Sequence, residues 1–481
     1  MPTPTDKRRE RSAIVGWIIS HPQTTLALCG LALLAAVAGA FHTTVDRRLQ
    51  RRIAVIRAKG EPITIDDLRA LTPVIPDDEN MTLRLAEIGV ELAAPDDKEG
   101  RHEMLCYFPR RRRLVMTGTR LSAEQLDAAR WFLETNAVPI AGIHEALELE
   151  DGCFKPVWTS PAASMVIPGI ASLRGVACAL ATEQQVATQE GDAQHATWLL
   201  FELLHLDNAL RHETVMIGLL IRIVNRSAAM DRIERTVNLC GVEAKSLRLM
   251  ESQLKRMESD LDFHQAVVVE RAIVLDSIEW IRSGGNSATI FGGGRVGTSL
   301  AAWRHIPIVP ALDAAYGLEM LTDLVNGLHT PDAQSIKHCK TIDARISGAS
   351  WYEAMSRLLI PSLSRAVELW VRQTASARAL RTALACERYR LSTGQWPDNL
   401  TALLPDYLDA LPTDPFDGQT IRFERIEQGV KIWSIGEDQT DDGGNVGRLD
   451  ANTNPIRTPD AGWILLDPGR RGRPGADNTA P

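Results

Sequence analysis

An uncharged apolar run from Thr24 to Phe41 constrains this chain more than any other feature of its sequence. A helix of about 18 apolar residues can just cross a hydrocarbon core about 30 Å thick. The run therefore predicts a transmembrane helix over residues 24–41, bound to a lipid bilayer. A basic segment, residues 1–23, precedes it, and a basic stretch with a helical pattern, residues 42–59, follows it as a predicted stalk.

The same run leaves a second interpretation open, which is a cleaved secretory signal. Ala38, Gly39 and Ala40 supply the small residues of a cleavage site, but the run is longer than a signal core of about 7–15 residues. Basic residues flank the run on both sides, so charge alone does not orient it. We expect a single-pass protein of the inner (cytoplasmic) membrane with the bulk of the chain outside the cytoplasm.

Length and composition limit the classes of protein that fit. A chain of 481 residues has room for two or three domains. The net charge of −8 argues against a general nucleic-acid surface, and no nucleic-acid partner is expected. The seven cysteines form no CxxC pair, which fits buried free thiols better than a disulfide framework, although one or two bridges are left open.

Helical periodicity dominates the middle of the chain. Residues 60–361 are predicted to form a mainly α-helical domain whose densest helices lie between Ser172 and Arg282. The breaks between these helices are short, which favours antiparallel neighbours in a bundle or a helical-hairpin solenoid. Gly191 and Asp192 are expected to end one helix and to cap the next.

The hydrophobic period changes near the C-terminus. A long predicted helix, residues 362–391, leads into alternating segments at residues 421–423 and 430–434, with residues 463–466 as a candidate third strand. Residues 362–466 are thus expected to form a small α+β module, followed by a disordered tail, residues 467–481. The predicted fold class is mainly α: a transmembrane helix, a helical bundle or hairpin ectodomain, and this C-terminal module.

Three glycines, Gly292, Gly294 and Gly297, match the spacing of a dinucleotide-binding fingerprint inside a glycine-rich loop, residues 284–297. The context differs from that of a nucleotide site, because the preceding region is helical rather than βαβ and Pro307 cuts the following helix short. We therefore predict a loop. A nucleotide-dependent enzyme that uses Gly292–Gly297 is the alternative from the enzyme class, and residues 288–291 are its candidate strand.

Glu202 and His205 are three residues apart, which is the spacing of half a di-iron site in a helical bundle. Such a site needs a second pair of the same kind, and the sequence offers none. The two residues are therefore predicted to lie on the polar face of an amphipathic helix.

Carboxylates crowd one glycine-rich loop near the C-terminus, at Asp438, Asp441, Asp442 and Asp450. Crowded carboxylates repel one another unless solvent or a cation relieves them, and Ca²⁺ takes 6–8 oxygen ligands from such loops. Composition alone favours a solvated acidic loop, with a calcium site as the alternative.

Residues 383–445 resemble the C-terminal part of a type II secretion major pseudopilin. The matching motifs are Tyr389, Gly394, Trp396 and Pro397 at a helix end, the turn Leu411-Pro412-x-Asp414-Pro415-Phe416-x-Gly418, and the loop Ser434-x-Gly436-x-Asp438 with Gly443-Gly444. The resemblance implies a calcium loop at Asp438 and, with it, Asp441, Asp442 and Asp450. The chain departs from that family at Gln439, where glycine is usual, and it lacks the prepilin cleavage pattern, so a fibre-forming pilin is not expected.

The whole layout resembles a broad group of uncharacterised bacterial single-span envelope proteins with no assigned activity. The residues that carry this resemblance are Gly60-Glu61-Pro62, Pro76-Asp77-Asp78-Glu79-Asn80, Gly191-Asp192 and Glu270-Arg271-Ala272. We predict a membrane-anchored, non-catalytic envelope scaffold or interaction protein whose partners are the bilayer and other envelope proteins. An accessory component of a type II secretion-like apparatus is the first alternative, and the nucleotide-dependent enzyme is the second.

Overall fold

Helices and one small sheet make up the computed structural model, which describes residues 21–92, 117–286, 288–291, 309–360, 363–446 and 459–472. In chain order the helices are α1 (Pro22–Ala58), α2 (Ile65–Leu71), α3 (Met81–Glu91), α4 (Ala123–Thr135), α5 (Ala137–Ala146), α6 (Ser172–Glu190), α7 (Ala193–His205), α8 (Met216–Leu239), α9 (Ala244–Met257), α10 (Phe263–Arg282), α11 (Ala288–Phe291), α12 (Val309–Gly327), α13 (Ala333–Ser347), α14 (Ala354–Leu359) and α15 (Ser364–Thr393). The strands are β1 (Arg422–Ile426), β2 (Gly429–Ser434) and β3 (Ala461–Leu466). The prediction of a mainly helical chain with a small antiparallel sheet is confirmed.

The apolar run does not form a helix of its own, and the transmembrane part of the predicted fold class is wrong. Residues 24–41 are the first part of α1, which is 37 residues long and continues without a break through the predicted stalk. Within the described ranges, no helix has both the length and the apolar character that a membrane crossing requires. The prediction treated residues 24–41 as a separate segment. They are instead continuous with the charged second half of α1, which belongs to the folded domain.

The second half of α1 is attached to the helical domain by burial and by ion pairs. Val45, Leu49 and Ile56 are buried. The Asp46 carboxylate lies 3.0 Å from an Arg282 guanidinium nitrogen, and Arg52 lies 3.0 Å from Glu319. This half of α1 is therefore an element of the domain, packed on α12, rather than an independent stalk.

Two adjoining hydrophobic clusters form the interior of the domain. The first combines α3, α5, α6, α7, α8 and α9 with the C-terminal half of α15 and the sheet. The second combines α1, α10, α12 and α13 with the N-terminal half of α15. Because α15 contributes to both clusters, it joins the two parts of the core, and the domain division at residue 361 stays a prediction.

Local capping fixes the helix boundaries in the middle of the chain. Gly191 ends α6 with a φ of 81°, a left-handed conformation that glycine adopts without steric cost. The Asp192 side chain then accepts a hydrogen bond from the backbone N–H of His195 at 3.0 Å and caps α7. Both predictions for these residues are confirmed.

The sheet is attached to the helical domain along the outer edge of β3. The strand order is β1-β2-β3, all antiparallel, so β3 lies at one edge of the sheet that the described strands form. The Asn238 side chain of α8 donates to the Ile464 carbonyl and accepts from the Leu466 N–H, both at 2.8 Å. Glu234 accepts the Ile464 N–H at 3.0 Å, so α8 covers the edge that would otherwise expose unpaired backbone groups.

Candidate functional site

A cleft of about 630 Å³ opens between α5, α7 and α9, above the short 3-10 helix Leu206–Leu210. We call it the tryptophan cleft, because the Trp198 ring forms part of its wall. Its apolar floor includes Leu147, Phe201 and Met257, and its polar rim includes Glu148, Arg211 and Arg256. The cleft therefore combines an apolar floor with a charged rim.

Two carboxylates hold His144 at one end of this cleft. Nδ1 of His144 lies 2.8 Å from Glu202 and Nε2 lies 3.0 Å from Glu183. An ionised carboxylate only accepts hydrogen bonds, so the imidazole donates from both nitrogens and is charged. Partial burial lowers the pKa of His144, but the two carboxylates outweigh that effect and raise it from 6.5 to about 9.

Trp198 is held between two histidines and remains open to solvent. Its ring centroid lies 5.0 Å from that of His144 and 5.5 Å from that of His195, and the His195 ring is inclined by only 17°. Nε2 of His195 lies 3.6 Å from a carboxylate oxygen of Glu183, which positions the His195 ring in turn. The indole is nevertheless 45% exposed, so a large aromatic surface is presented in a fixed orientation.

A balanced charge network supports the cleft from below. Arg222 and Arg226 of α8 both pair with Asp207, at 2.7 and 2.6 Å, and Arg226 also pairs with Asp260 at 2.6 Å. Burial raises the pKa of Asp207, yet Arg226 and Arg222 outweigh that effect and lower it to about 2. Two guanidinium groups thus face two carboxylates, which fixes the position of the 3-10 helix under the cleft.

Glu202 and His205 lie in the cleft wall but have different partners. Glu202 pairs with His144, whereas His205 bonds the Leu149 carbonyl at 3.0 Å and the Asn208 amide at 3.2 Å. In the described part of the chain, no group of three or more histidine, cysteine or acidic side chains is arranged to hold a metal ion.

The acidic loop after β2 is organised by its own hydrogen bonds. Asp441 accepts the Trp433 indole N–H at 2.9 Å and the Gly443 N–H at 3.1 Å, and Asp438 accepts the Thr440 N–H at 3.1 Å. Asp442 follows Asp441 in the same loop, and Asp450 lies outside the described residues. The calcium loop therefore stays a prediction.

Sequence reasoning missed Asp460, which lies beside this loop at the start of β3. Asp460 is buried and accepts the Asn445 N–H at 2.8 Å. Burial, together with the charges of Asp441 and Asp442, raises its pKa to about 6, although the backbone N–H groups oppose the rise. An acidic residue directly before a fully apolar strand was the signal that could have identified it.

The glycine fingerprint, Gly292, Gly294 and Gly297, lies outside the described residues, so the nucleotide alternative stays a prediction. The four residues before it, Ala288–Phe291, are helical, whereas a fingerprint of this kind follows a strand. The strand that the nucleotide alternative would need is therefore not formed by these four residues.

Cysteines in the described ranges are free thiols, at Cys29, Cys153, Cys178, Cys240, Cys339 and Cys386. All but Cys29 are buried. Burial raises the pKa of Cys339 to about 12, and it also raises the pKa of Cys240. The prediction of buried free thiols is confirmed for these five, and such thiols are poor nucleophiles.

Three comparisons with known proteins were made. No protein-family model, curated protein or solved structure matches the chain. The tryptophan cleft and the acidic loop are therefore interpreted from their own geometry.

Proposed function

We propose that this chain is a non-catalytic scaffold that binds a partner protein at the tryptophan cleft. The observation that supports this proposal best is Trp198, an exposed aromatic ring that packs against two histidine rings. Tryptophan is enriched among the residues that contribute most to binding energy at protein interfaces. A ring that is already ordered loses little conformational entropy when a partner binds.

The partner that suits the cleft is a protein segment carrying an apolar side chain between charged residues. The apolar floor at Leu147, Phe201 and Met257 offers a pocket for that side chain. The rim residues Glu148 and Arg256 carry opposite charges and offer contacts to a mixed polar segment. An apolar centre inside a polar rim is the usual anatomy of a protein interface.

The state of His144 also favours binding over catalysis in this cleft. A histidine acts as a general base only in its neutral form. With a pKa of about 9, His144 is an imidazolium at neutral pH, and both of its N–H groups are engaged by Glu183 and Glu202. These three residues are better suited to holding α5, α6 and α7 in register than to moving protons.

Site-specific photo-crosslinking in the native host tests the proposal. A photoreactive phenylalanine analogue replaces Trp198 in one variant and Trp351 in another, because Trp351 is also exposed, at 70%, but lies outside the cleft. We expect a discrete protein adduct from position 198 that weakens when Leu147→Asp adds a charge to the cleft floor. The same adduct from both positions, or none from position 198, would contradict the proposal.

The second candidate is an accessory component of a secretion-like apparatus, with the C-terminal module as a calcium-dependent docking unit. The charges of Asp441 and Asp442 act on the buried Asp460 carboxyl, which favours this candidate because carboxylate oxygens are the ligands that Ca²⁺ prefers. Calcium binding would have to draw the three side chains together, since in the described residues they are not arranged to hold a metal ion. We expect calcium at about 100 times its Kd to add about 2.7 kcal/mol to the free energy of unfolding. Thermal unfolding with calcium and with magnesium, repeated for Asp441→Asn, measures this; an unchanged Tm at millimolar calcium would exclude the candidate.

A further inference from the structure

A second cleft, of about 490 Å³, lies on another side of α9. It is bounded by α9, by α15 and by the segment of residues 405–413. We call it the arginine cleft, because Arg378, Arg381 and Arg388 of α15 line it. It is separate from the tryptophan cleft, so a binding site here is independent of the proposed function.

The three arginines share only two carboxylates. Arg378 pairs with Glu258 at 3.0 Å, Arg381 pairs with the same carboxylate, and Arg388 pairs with Glu251 at 2.8 Å. The side chains of these arginines are 23%, 12% and 11% exposed, so water compensates their charge only in part. Arg248, Lys255, Asp406 and Asp409 also line the cleft, so five cationic side chains face four carboxylates and one positive charge is in excess. An uncompensated charge that is partly buried is costly.

The arginines also have hydrogen-bonding capacity to spare. Each guanidinium carries five N–H donors. One Nη of Arg381 donates to Glu258. One Nη of Arg388 donates both to Glu251 and to the Tyr407 carbonyl. The remaining N–H groups of these two arginines donate to no other acceptor among the described residues. They are available to an oxygen-rich anion, which guanidinium groups bind in pairs of hydrogen bonds.

Glu251 supplies an acceptor of the opposite kind in the same cleft. Its side chain is 9% exposed, and Oε2 accepts from Arg388. Oε1 is fully buried and accepts no hydrogen bond from the described residues. A buried polar atom without a partner costs free energy, which a ligand that donates a hydrogen bond would recover.

We propose that the arginine cleft binds a small organic oxyanion that also carries a hydrogen-bond donor. The carboxylate or phosphate group of the ligand lies against Arg381 and Arg388. Its hydroxyl or amino group donates to the carboxylate of Glu251, which lines the cleft. A cleft of about 490 Å³ falls within the usual size of small-molecule sites, about 300–1,000 Å³, and is too small for a folded partner.

Calorimetry on the full chain at low ionic strength tests this proposal with three probes. The probe 3-phosphoglycerate carries oxyanions and a hydroxyl, inorganic phosphate carries the oxyanion, and glycerol carries only hydroxyls. We expect saturable binding of 3-phosphoglycerate with one site per chain, binding of phosphate at least about tenfold weaker, and no binding of glycerol. The absence of saturable binding of 3-phosphoglycerate up to about 10 mM would overturn the proposal.

Three variants assign the binding to the named residues. We expect Arg381→Gln to weaken 3-phosphoglycerate binding at least about tenfold, since it removes a charged donor. Glu251→Gln is nearly isosteric, and it is expected to remove most of the preference for 3-phosphoglycerate over phosphate. Lys245→Gln removes one charge from an exposed position of α9 outside the cleft and is expected to bind like the wild type.

Circular dichroism and thermal unfolding establish that each variant is folded before binding is measured. If Arg381→Gln does not fold, Arg381→Lys keeps the charge but loses the fork geometry, and the same loss of affinity is expected. Equal weakening by Lys245→Gln and Arg381→Gln would overturn the proposal, because it would show that the probe responds only to net charge.

Discussion

The two clefts share α9 as a wall but differ in how completely the N–H donors of their cations are engaged. In the tryptophan cleft two carboxylates, Glu183 and Glu202, hold a single cation, His144. In the arginine cleft three guanidinium groups share the carboxylates of Glu251 and Glu258. Both N–H donors of His144 are engaged by carboxylates, whereas Arg381 and Arg388 keep N–H donors that a ligand can use. The geometry of the tryptophan cleft therefore favours the presentation of an aromatic ring, and that of the arginine cleft favours the binding of an anion.

The charge network below the tryptophan cleft also consists of groups that satisfy one another, and it is more deeply buried. Arg222 and Arg226 face Asp207 and Asp260, and the Arg226 side chain is completely shielded from solvent. Removing one member leaves the others without compensation. The cost of removing an arginine should thus differ strongly between the two regions.

The largest expected effect compares Arg226→Gln with Arg381→Gln. The first variant leaves Asp207 buried with one fewer partner and is expected to cost about 3–5 kcal/mol in the free energy of unfolding. The second variant removes one of three arginines that share two carboxylates, and it is expected to cost about 1 kcal/mol or less. Urea unfolding of both variants measures the difference, and equal costs would remove the basis of the comparison.

The next effect concerns the pH dependence of the His144 pairs. The pKa of His144 is raised from 6.5 to about 9, so the pairs stabilise the fold fully below pH 6.5. Their contribution is lost as the pH rises through 9. We expect His144→Gln to cost about 1–2 kcal/mol at pH 6, less than the full shift implies because solvent screens the pairs, and almost nothing at pH 10.

His264→Gln provides the matched control for that experiment. Its ring stacks on His329 at 6.0 Å, and no carboxylate among the described residues pairs with it. Urea unfolding of the wild type and both variants between pH 6 and pH 10 measures the effect. A cost of His144→Gln that is the same at both pH values would show that the two carboxylates do not hold a charged ring.

A smaller effect is expected at Glu251. Burial raises the pKa of this carboxyl to about 7, and Arg388 offsets the burial only in part. A raised carboxyl pKa means that the folded state resists ionisation, so this group lowers stability as the pH rises from about 4.5 to about 7. The free energy of unfolding of Glu251→Gln, relative to that of the wild type, should therefore rise by about 1 kcal/mol between pH 5 and pH 8. Urea unfolding of the wild type and of Glu251→Gln at both pH values measures this change. A stability difference between the two proteins that is the same at pH 5 and pH 8 would contradict the prediction.

The smallest effect on stability is expected at Trp198. Trp198→Ala should change the free energy of unfolding by about 0.5 kcal/mol or less, as Trp351→Ala should, because both rings are exposed. The proposed partner contact should nevertheless be lost only in the first variant. A loss above about 2 kcal/mol for Trp198→Ala would identify the ring as a packing residue rather than a binding surface.

Local structure was predictable where a few neighbouring residues determine it. The cap at Asp192 and the helix end at Gly191 both form as expected. The hairpin of β1 and β2 also follows its alternating pattern, with Phe423 opposite Ile432. Each of these features depends on hydrogen bonds or side-chain periodicity within one short segment.

Features that depend on distant residues were not predictable. His144 is separated from Glu183 and Glu202 by 39 and 58 positions, so no local pattern could join them. The same is true of Asn238, which covers the edge of a strand 226 positions away. The prediction of a separate helix at residues 24–41 failed for a different reason, because the run continues directly into the charged residues 42–58 as one 37-residue helix.

The charge state of His144 tests the account most directly, because both the rigid Trp198 surface and the contrast with the arginine cleft depend on it. Nuclear magnetic resonance of the imidazole nitrogens and carbons gives this pKa as the pH is varied. We predict a value of about 9 in the wild type, falling to 6.5 or below when Glu183→Gln and Glu202→Gln are combined, because burial then acts alone. A wild-type value close to 6.5 would contradict the account.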